Sequence, residues 1–394
     1  MSEPDREGFW MKKTSTKGFI THFIHKSVST RIKAVEFIPG RSHTEAIAAA
    51  IASAELSGSI AEIVLDTQDW IIDRAIRLPS NTDLTIDGCT LKLADGVFDN
   101  IIRVAGITPN PNDPNGICRS IQPTENIRII GRNGAVIEGA DHPYSAPNPK
   151  TGVVEPWVGD FFGWRTVGIL LSGAHNYDIS GFTMQKTHCW AISQDSCTHG
   201  ALHDIVFNTD VKNGDGIDFR NGCAHCLVEN ISGTTSDDTI ALTALDESVV
   251  SGPGSRYIYP MQPMGMKHAS DDPDIHDIVV RNIFTGGQHH AVICLATSPS
   301  VYDITIENVI EEAPSSRESC VKIYTGYGTG YRKENLRNIS VANVVSRGAR
   351  YAVMVKADVS NVRFENIRQA RPDGERTLFE GDNRNSIIMD AAAH

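Results

Sequence analysis

From about residue 60 onward the chain repeats one unit: a short apolar strand, a turn, and another short strand. Six related strings mark it: Trp190-Ala-Ile-Ser, Asp215-Gly-Ile-Asp, Asp238-Thr-Ile-Ala, His290-Ala-Val-Ile, Ser319-Cys-Val-Lys and Tyr351-Ala-Val-Met. Their aliphatic anchors, Ile192, Ile217, Ile240, Val292, Val321 and Val353, recur at intervals of 25, 23, 52, 29 and 32 residues. A second strand precedes them, as in Tyr177-Asp-Ile-Ser, His203-Asp-Ile-Val, His276-Asp-Ile-Val and Tyr302-Asp-Ile-Thr. A unit this short cannot bury its own apolar face, so copies must stack on one another. A sandwich would show hairpin turns at even, short spacing. A doubly wound α/β fold would place a helix of about 10–15 residues between strands. The expected fold is therefore an all-β solenoid of parallel strands, a β-helix.

Around that repeat the chain has distinct ends and one interruption. Ser42-His-Thr-Glu45 fits a capping box and predicts a short helix over 46–56, placed to cap the solenoid. Strands are expected at 62–65, 70–73, 83–86 and 90–93. Asn230, Asn282, Asn308, Asn343 and Asn366 recur after successive strands and predict an inward Asn ladder at one turn. Residues 247–274 break the repeat and read as a long loop near the site, with Tyr257, Tyr259, Met264, Lys267 and His268 on offer. Residues 1–30 read as an N-terminal arm suited to a contact with a second copy of the chain, and residues 31–394 as one β-helix domain.

Composition limits the partners. A formal charge of −12 and a pI near 5.6 argue against broad binding to nucleic acid or anionic lipid. No apolar run reaches the ~18 residues of a transmembrane helix, so no membrane is expected. The first residues lack the apolar core of a leader, so a cytoplasmic protein is expected, or a secreted one if a leader precedes this sequence. Of the eight cysteines, Cys223 and Cys226 have metal-like spacing. No second pair completes a zinc set, so the cysteines read as small buried residues and no metal or other cofactor is expected.

Strand alternation assigns the faces. With the anchors pointing in, Asp218 and Lys322 at one position, and Arg220, Tyr324 and Lys356 two residues on, point outward onto an open wall. Asp215, Asp238 and His290 share the first position of their strings, with Asp237 beside them. Asp215 and Asp238 are 23 residues apart, one coil, and parallel strands stack at ~4.8 Å. The acids should therefore meet over roughly 10–15 Å of wall, the size of a saccharide subsite. Three gathered carboxylates repel, and a fold gains nothing from that. Glycoside chemistry needs them: one carboxyl with a raised pKa to protonate a leaving oxygen, others ionised to polarise water. Two structural readings compete, turn-forming Asp and a calcium site. His289 and His290, as neighbours on a strand, should face opposite sides and not share a metal.

These motifs resemble glycoside hydrolase family 28, the polygalacturonases. That family's Asn-x-Asp, Asp-Asp, Gly-His-Gly and Arg-Ile-Lys elements are matched here by Asn213-Gly214-Asp215, Asp237-Asp238, His289-His290-Ala291 and Lys322-Ile323-Tyr324. The resemblance spans about residues 40–370. It implies a right-handed, pectin-lyase-like β-helix and an inverting hydrolase of a uronate-containing oligo- or polysaccharide. It implies Asp237 as general acid, Asp215 and Asp238 as holders of the attacking water, and His290 as a member of the site. His289, Asp218, Arg220, Lys322, Tyr324 and Lys356 are the substrate-binding candidates. Lys322 and Tyr324 stand where the family has Arg and Lys to grip a uronate. A Lys is a point charge without the guanidinium fork, although Lys356 sits one rung away. A β-helix lyase or transglycosylase, and a glycan-binding solenoid without catalysis, are the alternatives.

Overall fold

The structure is a computed structural model, and it describes residues 30–57, 60–109, 118–144, 166–245, 272–312, 318–327, 330–383 and 385–390. The arm at 1–29 and the core of the 247–274 loop, with its Tyr257, Tyr259, Met264, Lys267 and His268, lie outside the described residues.

The repeat winds into a parallel β-helix. One wall is a 16-stranded sheet and the facing wall a 10-stranded sheet. Among the described residues every pairing in these two sheets is parallel, and the one antiparallel pair is the small hairpin of Ile107–Pro109 with Cys118–Ile121. On the ten-stranded wall the six anchors fall in one column, Ile192 on Ile217, then Ile240, Val292, Val321 and Val353. All six are fully buried. On the long wall Ile205, Ile231, Ile283, Val309, Val344 and Ile367 form a matching column. The core is therefore a set of aliphatic stacks running the length of the coil, each rung completing its neighbour's apolar face. Seven cysteines, Cys223 and Cys226 among them, are buried, as expected of small core residues.

The N-terminal end is closed by the helix His43–Ser57, three residues longer at its start than the predicted span. Its capping box forms: the Ser42 N–H donates to Glu45 Oε2 at 2.9 Å, and the Glu45 N–H to Ser42 Oγ at 3.2 Å. The buried alanines Ala46, Ala50 and Ala54 let it sit close on the end of the coil.

The Asn ladder exists but does not point inward. Asn230, Asn282, Asn308, Asn343 and Asn366 all have φ between 51° and 58°, and each is at least partly exposed. Asn282, Asn308, Asn343 and Asn366 each donate to the Asn on the rung before, at 2.8–3.1 Å, and Asn230 donates to Asp204 Oδ1 at 3.0 Å. The left-handed bend turns the strand around a corner of the coil and leaves the side chain on the outside. Asn is one of the few residues that accepts that conformation at low cost.

Candidate active site

Asp215 and Asp238 stand just before the strands Ile217–Phe219 and Ile240–Ala244. The ladder runs straight through this point. The Gly216 N–H donates to the Asp238 carbonyl at 2.9 Å, and the Thr239 N–H to that of His290 at 2.8 Å. The predicted column is therefore real. Side chains of the preceding turns tie the rungs together: Thr209 donates to the Gly214 carbonyl, Ser236 to that of Val211. One oxygen each from Asp215, Asp237 and Asp238 lies within 4.8 Å of the others. The three carboxyls open into a cavity of about 400 Å³, within the range of small-molecule sites.

The three are electrostatically unequal. Asp215 is 6% exposed. Burial, then the nearby charges of Asp237, Asp218 and Asp238, push its pKa well above the carboxylate range. The Asp238 side chain is 14% exposed, and its partial burial opposes ionisation, but His290 outweighs that and holds it below the usual value. His290 Nδ1 lies 2.7 Å from Asp238 Oδ1, and its backbone N–H donates to the same oxygen at 3.1 Å. His290 is itself pushed up: its burial is outweighed by Asp238 and Glu318. His289 Nδ1 sits 2.9 Å from Asp237 Oδ1, and that bond raises its pKa. So Asp215 is biased toward its protonated form and Asp238 toward its charge, the asymmetry that acid–base work needs.

This predicts a stability cost paired with the site. A carboxyl whose folded pKa is raised favours the folded chain below its unfolded pKa, ~3.9, and loses that contribution as pH rises. Asp215→Asn cannot ionise. The variant should unfold at a higher temperature than the parent at pH 7, by about 1–2 kcal/mol of stability, with the difference vanishing below about pH 4. Melting curves across pH measure this; a variant no more stable than the parent at pH 7 contradicts it.

The structure rearranges several sequence expectations. The outward positions do not form an open wall: Asp218 and Arg220 are each 1% exposed and floor the cavity, with the Arg220 guanidinium 5.3 Å from the Trp190 ring. Ala241, Leu245, Ile293 and Leu295 form an apolar patch beside them, with Tyr324 packed against it. His289 and His290 do not face opposite sides. They precede the strand Val292–Ala296, where alternation does not apply, and both offer a nitrogen within 4.8 Å of the same Asp238 oxygen. Lys356 is not part of the cavity lining, because it turns to Glu318 at 3.0 Å and Glu380 at 3.9 Å. Lys322 does line the cavity, 4.7 Å over the Tyr324 ring, but its Nζ lies 2.7 Å from Glu318.

Glu318 is the site residue that sequence reasoning missed. His290, Lys322 and Lys356 together hold its carboxyl well below the usual range, against the opposing effect of burial. The signal was present. Asp237, His289 and Glu318 each stand one place before their strings' first position, so they form a second column beside Asp238, His290 and Ser319.

Comparison with known proteins agrees with this architecture. The polygalacturonase from Erwinia carotovora ssp. carotovora superposes with a TM-score of 0.57 at 13% identity, over 93% of this chain and 97% of that one. The fold is polygalacturonase-like. The Yersinia enterocolitica family 28 exopolygalacturonase gives 0.55 at 16% identity, over 91% of this chain and 70% of that one. The tailspike protein of E. coli bacteriophage HK620, in complex with a pentasaccharide, gives 0.57 at 13%, over 92% and 67%. These neighbours are right-handed β-helices, as the sequence led us to expect. No family model and no curated relative matches the chain.

Proposed function

We propose that this protein hydrolyses O-glycosidic bonds in an oligo- or polysaccharide. The observation that carries the reading is the carboxyl trio: three acids within 4.8 Å on one cavity wall, one biased toward its proton and one toward its charge. Asp237, the most accessible of the three to a bound sugar, delivers the proton to the leaving oxygen. In this reading the transferable proton sits on Asp237 once substrate is bound. Asp215 and Asp238 are then both ionised and take a proton from water as it attacks. The resemblance implies inversion. The anomer first released, read by proton NMR, decides the stereochemistry.

The sugar at the centre of the site is uncharged in this reading. A uronate would meet Asp218, Asp237, Asp238 and Glu318 in one cavity, where His289 already lies 2.9 Å from Asp237 and His290 2.7 Å from Asp238. Lys322 is already neutralised by Glu318. The apolar patch around Ile293 and Leu295 suits the less polar face of a neutral or deoxy sugar. A panel of neutral oligosaccharides and oligogalacturonides, scored for new reducing ends, tests both parts. A neutral substrate is expected to be cut with no loss on adding a chelator. Glu318→Gln frees Lys322 and should tighten oligogalacturonide binding by about tenfold, one charge–charge contact. Rapid cleavage of oligogalacturonide by the parent would overturn the neutral-sugar assignment. Sugar binding without any product from the whole panel would overturn hydrolysis itself.

A further inference from the structure

The opposite wall of the coil carries a second cluster, separate from the carboxyl cavity. The strands Ala224–Thr234 and Ile275–Thr285 pair in parallel with Ala224 on His276 and Cys226 on Ile278, which sets His225 across from Asp277. Both have left-handed φ, 57° and 54°, so the two rungs bend at the same place. Asp277 Oδ2 lies 2.8 Å from His276 Nδ1 and 3.5 Å from His225 Nδ1. One donor atom from each of the three residues lies within 4.8 Å of the others. The imidazoles stand edge-on at 90° with centroids 5.3 Å apart. His276 is fixed from its other side by stacking on Tyr302, at 5.0 Å and 13°. Arg337 closes the stack, 3.7 Å over the Tyr302 ring.

The geometry points to a divalent transition-metal site of the zinc class at His225, His276 and Asp277. Zinc holds nitrogen and oxygen ligands at ~2.0–2.2 Å in a tetrahedron, which puts adjacent ligand atoms about 3.3–3.5 Å apart. The distances of 2.8 and 3.5 Å lie on either side of that spacing, so rotations about side-chain bonds close the shell. Two imidazoles and one carboxylate suit zinc, nickel or copper and disfavour calcium and magnesium, which take oxygen shells. The side chains keep 40%, 19% and 26% of their surface exposed, which admits the ion and leaves a fourth position to water. The location gives the ion a structural task. Successive rungs along the Asn ladder are 23–35 residues apart, but the step from Asn230 to Asn282, across these same two strands, is 52. Closing a longer loop costs more chain entropy, so a clip here stabilises more than one elsewhere along the corner. Because the ion binds the folded chain only, it raises stability with its concentration.

The test uses untagged protein stripped with chelator, then titrated with Zn²⁺ by calorimetry and with Co²⁺ by visible absorption. One equivalent is expected, with the intense visible bands of tetrahedral cobalt and a higher melting temperature in zinc. Asn accepts left-handed φ, so Asp277→Asn and His225→Asn should fold normally. Each should weaken binding at least about tenfold. Asp238→Asn, in the carboxyl cavity, should leave the affinity unchanged. Failure of the parent to bind, or binding that survives both ladder substitutions, overturns the site. So does binding lost in Asp238→Asn alone.

Discussion

Asp237→Asn should lower turnover by about three orders of magnitude while leaving the melting temperature within a degree or two of the parent. Positioned acid–base groups contribute about 10²–10⁴-fold, and the amide keeps the shape and the hydrogen bond to His289 Nδ1 at 2.9 Å. What it loses is the proton. Steady-state rates on the best substrate of the panel, with a melting curve on the same sample, measure the effect. The result also separates two members of the trio. Asp215 carries the raised pKa, so an Asp237→Asn enzyme that keeps a tenth of its activity beside a dead Asp215→Asn would move the general acid to Asp215. The pH profile adds a check with a definite sign. Its acid limb should come from protonation of Asp238, which His290 displaces to lower pH. Its alkaline limb should be displaced upward where Asp215 contributes, because burial and the neighbouring carboxylates raise that group.

The sequence was most readable where one physical rule acts alone. Period-two alternation and the recurring Ile and Val anchors gave the coil, because a residue between two identical rungs has only one buried direction. The anchors at 217, 240, 292, 321 and 353 fall in register without a slip. Reading failed where that rule stops. His289 and His290 precede their strand, so alternation misassigned them. The Asn ladder faces outward because the chain turns its corner in the left-handed region, a fact about φ that composition does not display. Lys356 looked free to help bind an anion because its column was read one rung at a time. Its partner Glu318 lies 38 residues earlier in the chain and one rung back. Pairings across rungs depend on which side chains reach each other, and a one-dimensional repeat does not contain that.

Gly216→Ala should cost about 10²-fold in kcat although Gly216 does not line the cavity. A Cβ at this position would lie 2.5 Å from the Thr239 carbonyl and 3.1 Å from two carbons of the Phe207 ring. The first contact is backbone on the next rung and the second is a fully packed core ring, so neither can yield cheaply. Overpacking of this kind costs roughly 1–3 kcal/mol. The strain falls on the ladder bonds that set the site: the Gly216 N–H to Asp238, and the Ile192 N–H to the Gly216 carbonyl, each 2.9 Å. Spreading the rungs moves Asp215 away from Asp238, and a shift of about 1 Å in a catalytic group is enough for a hundredfold loss. Gly214 is as tightly held, since its Cβ would lie 2.2 Å from Ser236 Oγ and 2.8 Å from the Val211 carbonyl. The two glycines flanking Asp215 are therefore spacing elements: they let consecutive coils approach until carboxyl oxygens from different rungs lie within 4.8 Å of one another. If Gly216→Ala lowers the melting temperature but keeps full kcat, the trio has slack between rungs, and the close approach serves stability alone.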